Sequence, residues 1–207
     1  NNFKFLNLYN KKIEKIIFSS VVPNVFKNIK RIIKKKFKLE VKELKQINLK
    51  KILTVDVNMK QVGSDRLANA ISLINGKDNF IILDFGTATT FDVVLKNRYK
   101  GGIIAPGVNL SLKTLVEKAK LIPNTRLTKI KDIIGKNTQN AVRSGFYWGY
   151  QGLIENIINL IKRKNKKNFK IIFTGGLSHL YKDTIKNKIK VDRDLTIKGL
   201  LRLIDLI

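Results

Sequence analysis

The chain has 207 residues, with Lys plus Arg at 42 against Asp plus Glu at 15, a formal net charge of +27. Hydrophobic residues make up 43%, which suits a packed core and excludes an intrinsically disordered chain. Cysteine is absent, so disulfides and thiolate metal sites are excluded, and no apolar run is long enough to span a bilayer. The basic residues recur along the whole chain without the aromatic interleaving of a single-strand binding platform. They are therefore read as solvated lysine-rich faces rather than as a nucleic-acid surface. The first residue is Asn, not Met, no signal-peptide layout follows it, and the cytoplasm is the expected location.

Taken in order, residues 13–22, IEKIIFSSVV, read as a short buried strand stopped by Pro23. Residues 24–38 place Val25, Ile29, Ile32, Ile33 and Phe37 at helical spacing, with Asn24 as N-cap. A short strand is expected near 51–57. In VGSDRLANAISLING, Leu67, Ala70, Ile71 and Ile74 repeat at helical spacing, Ser64 is the candidate N-cap and Gly76 the stop. Asp65 and Arg66 then fall in the first turn, where free N–H groups and the helix dipole favour negative charge. Strands are expected at 79–85 and 90–95, joined at 86–89, and at 98–107, turned by Gly101-Gly102. A helix over 110–120, a loop over 121–139 and a long helix over 140–163 follow. Gly145, Gly149 and Gly152 interrupt that helix, each costing about 1 kcal/mol relative to alanine, which predicts close approach of another backbone, such as a packed helix or a partner subunit. Strand 169–177 ends in a Gly-Gly turn, and Asp194 caps a helix over 195–204. This alternation predicts an α/β fold with a mixed sheet.

The stretch LDFGTATTFDVV (83–94) sets a carboxylate, a glycine and a run of threonines at a hairpin tip. Such a turn can present backbone N–H groups as an anion nest, with Gly86 admitting a phosphate and threonine hydroxyls adding donors. Asp84 can hold a cation or orient water. An ordinary hairpin with threonines chosen for strand propensity explains the same residues. In VGSDR, Asp65 suits a general base on a substrate hydroxyl and Arg66 a partner for a carboxylate. A first-turn acid with a surface ion pair is the plainer reading. FTGGL is a strand-to-helix turn, or a place where a nucleotide lies against backbone. GKNT (135–138) lacks the full G-x-x-x-x-G-K-[ST] pattern and does not follow a strand, which rejects a P-loop. His179 is the single histidine, so a His-based metal site is excluded; Trp148 and Tyr150 are expected in core or interface.

In this order SSVVP, VGSDRLANA, DFGTATTFDVV, GGIIAPGV, GKNT, SGFYWGYQGLIE, TGGL and DLTIKGL resemble type III pantothenate kinase, over nearly the whole chain. The resemblance implies the two-domain ribonuclease-H-like (actin-like ATPase) fold with mixed sheets flanked by helices. It divides the chain into 1–77, the remainder of an N-terminal domain, and 78–207, a C-terminal domain carrying the second phosphate-binding hairpin and a dimer helix. It implies a homodimeric transferase that phosphorylates pantothenate with ATP, the first step toward coenzyme A, with Mg²⁺ and a monovalent cation, K⁺ or NH₄⁺. By resemblance Asp65 is the general base. Gly63, Ser64, Arg66 and Thr138 are pantothenate contacts, Gly86 and Thr87 ATP contacts, and Asp84 the monovalent-cation ligand. The family opens with a strand and a D-x-G-N-T phosphate turn that this sequence lacks. The first domain is therefore expected to be incomplete, with an exposed sheet edge and reduced or absent activity. The family's tyrosine ahead of G-x-D-R is here Asp56. A related small-molecule kinase, or a non-catalytic basic dimer on nucleic acid, is the alternative.

Overall fold

In the computed structural model, which describes residues 13–204, the first elements form a strand–helix–strand unit. β1 (Ile16–Phe18) and β2 (Val41–Glu43) pair in parallel, and α1 (Pro23–Phe37) makes the crossover that parallel strands require. The apolar stripe of α1 is Phe26, Ile29, Ile33 and Phe37, packed on Val41. Val25 and Ile32, expected on that stripe, are exposed. The cap position is Val22 rather than Asn24. Pro23 takes the first helical position, where a missing N–H costs nothing. Lys27, Arg31, Lys34, Lys35 and Lys36 are exposed, as a solvated face requires.

The main sheet has the order β3-β6-β5-β4-β7-β8, from β3 (Thr54–Val55), β4 (Asn79–Phe85), β5 (Ala88–Leu95), β6 (Arg98–Pro106), β7 (Lys170–Gly175) and β8 (Ile189–Val191). β4, β5 and β6 run antiparallel, while β3, β7 and β8 lie parallel to their neighbours. The β4–β5 connection is tighter than 86–89: Phe85 pairs with Thr89, leaving Gly86 and Thr87 at the tip. Gly101-Gly102 does not turn the chain. β6 runs through both, Gly101 takes φ +98°, and the β5 register slips between Asp92 and Val94. A glycine pair serves a bulge as readily as a turn.

Alternation along β4 divides the core. Phe80 and Ile82 face α2 (Ser64–Leu73) and α6 (Leu195–Ile204), with Leu67, Ile71, Leu195 and Leu203. Ile81, Leu83 and Phe85 face the opposite side, which α4 (Thr138–Asn165) covers with Tyr147, Ile154, Ile158 and Ile161 and α5 (Ser178–Tyr181) with Leu180 and Tyr181. The first of these clusters draws on residues either side of 77, from Leu44 to Leu203, and β3 joins the sheet built after it. α3 (Val108–Lys118) follows β6.

The ends of α2 and α4 differ from expectation. Gly63, not Ser64, caps α2, and the helix stops at Leu73, ahead of Gly76 in its left-handed turn. α4 begins at Thr138, because the Asn137 side chain accepts the Asn140 N–H at 2.9 Å. A Cβ built at Gly145, Gly149 or Gly152 meets nothing within 4 Å, so no backbone among the described residues packs against them. The close approach lies instead at Gly199, where a Cβ would stand 1.9 Å from the Ala68 carbonyl and α6 rests directly on α2. Asp194 caps α6 as expected, its carbonyl accepting the Lys198 N–H at 2.9 Å. Among the described residues, no helix is long and apolar enough to cross a membrane.

Candidate active site

The first turn of α2 brings the substrate-side residues together. Ser64 is buried, and its hydroxyl donates to the Glu43 carboxylate at the end of β2. That hydroxyl is therefore engaged by protein. Gly63 lies so close to the Asp65 side chain that a Cβ would sit 2.3 Å from Oδ1. Asp65 is partly exposed, and its Oδ1 accepts the Arg66 backbone N–H at 2.8 Å.

Arg66 reaches down to β5. Its Nε donates to Asp92 Oδ1 at 2.8 Å, and Nη2 stands 2.6 Å from the same oxygen. Asp92 is fully buried and also accepts the Tyr99 hydroxyl from β6. Burial pushes the Asp92 carboxyl up against the pull of Arg66, and it pushes the Tyr99 phenol up as well. Burial opposes the Arg66 charge too, but Asp92 more than offsets this and its pKa rises.

On the neighbouring strand, Asp84 Oδ2 accepts from Asn69 Nδ2 at 3.0 Å, and Asn69 Oδ1 accepts the Thr196 hydroxyl at 2.7 Å. Asn69 is fully buried, so α2 and α6 together fix this carboxylate. Burial raises the Asp84 pKa; Asn69 opposes the shift and the Asp65 charge adds to it. No salt bridge neutralises Asp84 among the described residues. Gly175, with φ +82°, is required beside it, since a Cβ there would stand 2.6 Å from Asp84 Oδ1. This half of FTGGL serves packing, while Gly176 faces open space.

Gly86 and Thr87 are exposed at the hairpin tip just beyond Asp84, and Gly107 packs against the Thr87 carbonyl. Gly63, Ser64, Asp65, Arg66 and Asp84 are thus assembled. Thr138 is not: α4 covers the opposite face of the sheet, and no recorded contact links Thr138 to this group among the described residues. Gly135 packs on the first turn of α4, a Cβ there lying 2.1 Å from Ala141 N, as befits a loop that is not a P-loop. His179 is exposed beside Arg193, and Trp148 and Tyr150 pack on the core under α4. Asp56 is clasped by Lys100 at 2.6 Å and Arg98 at 2.7 Å, and the Lys100 hydrogen bond foremost holds its pKa down. Asp92, Asn69, Tyr99, Thr196 and Glu43 were not singled out by motif. The available signal was a charge inside the apolar run FDVVL and an asparagine four residues after Asp65 on the same helix face.

Solved structures share this architecture. A Campylobacter jejuni protein described as a conserved Baf family transcriptional activator superposes with TM-score 0.64 at 21% identity, over 97% of this chain and 87% of that one. A 2-dehydro-3-deoxygalactonokinase-like protein from Sinorhizobium meliloti gives 0.51 at 10% identity, over 69% and 59%. The likeness defines a class by fold alone, a mixed sheet flanked by helices. Sequence relatives narrow the class. The type III pantothenate kinase of Pelagibacter ubique (strain HTCC1062) is 60% identical over 202 residues, covering 98% of this chain and 82% of that protein. That of Roseobacter denitrificans is 39% identical over 196 residues, covering 91% and 75%. The model of type III pantothenate kinase matches residues 3–160, and the chain belongs to this family.

Proposed function

We propose that the chain transfers the γ-phosphoryl group of ATP to the primary hydroxyl of pantothenate, with Asp65 as general base. The observation that carries this reading is the convergence of Asp65, Arg66 and Asp84 at one end of the sheet, in a chain of this family. Asp65 accepts the hydroxyl proton as the oxygen attacks. Arg66 pairs with the substrate carboxylate. Thr87 offers its backbone N–H and hydroxyl to ATP phosphates, because phosphoryl transfer asks for positioning and charge neutralisation above all, while Gly86, whose own N–H is held by the Ala88 carbonyl at 3.1 Å, lets the nucleotide approach the backbone. Asp84, half-buried and without a cationic partner among the described residues, suits a monovalent cation, K⁺ or NH₄⁺, which would neutralise it. Mg²⁺ binds few protein carboxylates and travels with nucleotide phosphates, where it offsets developing charge. Ser64 acts through Glu43 to hold the α2 terminus.

The chain acts as a homodimer in this reading. The exposed Gly145, Gly149 and Gly152 of α4 are the supporting feature, together with the exposed Leu160 farther along the same helix.

The test is ADP release coupled to a reporter, with pantothenate, ATP, Mg²⁺ and K⁺. Asp65→Asn should lower kcat by about 10²–10⁴-fold, the usual contribution of a positioned base, with little change in KM. A variant as active as the parent chain would remove Asp65 from that role.

A further inference from the structure

Among the described residues, Asp92 is the one charged side chain that is fully buried, and binding and proton transfer do not use it. Asp92 has no exposed surface, yet it carries a carboxylate inside the apolar run of β5. Donors from three elements surround it: Arg66 from α2, Tyr99 from β6, and Thr90 on its own strand, whose hydroxyl stands 3.5 Å from Oδ2. Gly102 completes the cradle. A Cβ there would lie 2.6 Å from Arg66 Nη2 and 2.0 Å from the Phe91 carbonyl, so glycine is what lets the guanidinium come this close to the strand.

A buried ion pair is a poor source of stability, since well-packed apolar groups of the same volume commonly do as well or better. Its use here is geometric. Asp92 takes the Nε hydrogen, and Nη2 is buried at 2.6 Å from the same oxygen with no aligned acceptor among the described residues. Among the described residues Nη1 makes no hydrogen bond, yet it is not buried, so it is the nitrogen left open to a ligand. An arginine free in solvent would lose rotamer freedom on meeting a ligand. This one has already lost it in the folded protein.

We propose that Asp92 is a positioning residue that clamps Arg66 so that Nη1 points at the substrate, making the enzyme's preference for a carboxylate-bearing substrate depend on a residue that never touches it. The proposal rests on the reading of Arg66 as the carboxylate ligand. It makes Tyr99 a second, weaker support of the same clamp.

Steady-state kinetics on the full chain test it, with pantothenate and with the analogue in which a primary alcohol replaces the carboxylate. Asp92→Asn should raise KM for pantothenate about tenfold or more, the loss expected when a charged hydrogen bond is released, while KM for the alcohol moves less than about threefold. Tyr99→Phe should shift the ratio in the same direction by a smaller factor. An equal loss on both substrates, or an unchanged ratio, overturns the proposal, leaving Asp92 a purely structural ion. If Asp92→Asn does not fold, Tyr99→Phe decides by the same ratio. Arg66→Ala separates the two readings. If it keeps the preference for the carboxylate, Arg66 is not the ligand and both fall. If it loses the preference while Asp92→Asn keeps it, only the clamp falls.

Discussion

Asp84 carries a charge that its surroundings oppose. Its pKa is raised above the ordinary carboxylate value of 3.8, first by burial and then by Asp65. A carboxyl raised in the folded state binds protons better folded than unfolded, so stability falls as pH rises from the unfolded pKa through the folded one. The cost is fully present at neutral pH. Asp84→Asn keeps an acceptor for Asn69 and removes the charge. In cation-free buffer at pH 7 it should therefore melt higher than the parent chain, and the gap should close as pH falls toward the ordinary carboxylate value. Adding K⁺ should raise the melting temperature of the parent alone, because a ligand stabilises only the form that binds it. The same variant should lose K⁺-dependent activity. A lower melting temperature at pH 7 without K⁺ would show that the charge is already compensated.

The pairing of α2 with α6 holds this carboxylate in place. Gly199 lets the helices touch backbone to backbone, and Arg202 Nη1 donates to the Ile71 and Ile74 carbonyls at the end of α2, at 3.0 and 2.6 Å. Gly199→Ala should cost about 1–3 kcal/mol by overpacking, read by urea denaturation, and should weaken K⁺ activation because Thr196 moves with the helix. Of this arrangement, the helices and strands were legible in the sequence and their partners were not. Leu67, Ile71 and Ile74 announce α2 by spacing, and the apolar runs around Gly86 announce a hairpin. Nothing local pairs Arg66 with Asp92 or Thr196 with Asn69, since those contacts exist only once the sheet has brought distant segments together. Glycine was the most ambiguous letter. At Gly101 it relieves a bulge where a turn was expected, and at Gly145, Gly149 and Gly152 it leaves a surface bare instead of packing within the chain. A missing side chain signals that room is needed without saying for what. Asp65 and Asp84 drew attention because their motif is specific. Asp92 was passed over because a single acid in a strand carries no motif.

Across the molecule, α4 presents one bare side among the described residues. Gly145, Gly149 and Gly152 are exposed along one side of a helix whose other side is buried core. Glycine there costs the isolated helix about 1 kcal/mol per position relative to alanine. We predict that the parent chain sediments as a dimer and that Gly149→Leu sediments as a monomer with an equal or higher helix content. A monomeric parent chain, or a dimer indifferent to Gly149→Leu, would move the interface elsewhere. The contact between Thr196 and Asn69 has a consequence for synthesis. These residues are 127 positions apart, and the second belongs to the helix that carries the proposed base. During translation the hairpin and α2 can form while α6 is still inside the ribosome, but Asp84 then lacks the support that reaches it through Asn69. Such late, long-range closure slows folding. The nascent chain can acquire most of its shape well before it completes the proposed cation site, so phosphotransfer should begin only after α6 has emerged and docked.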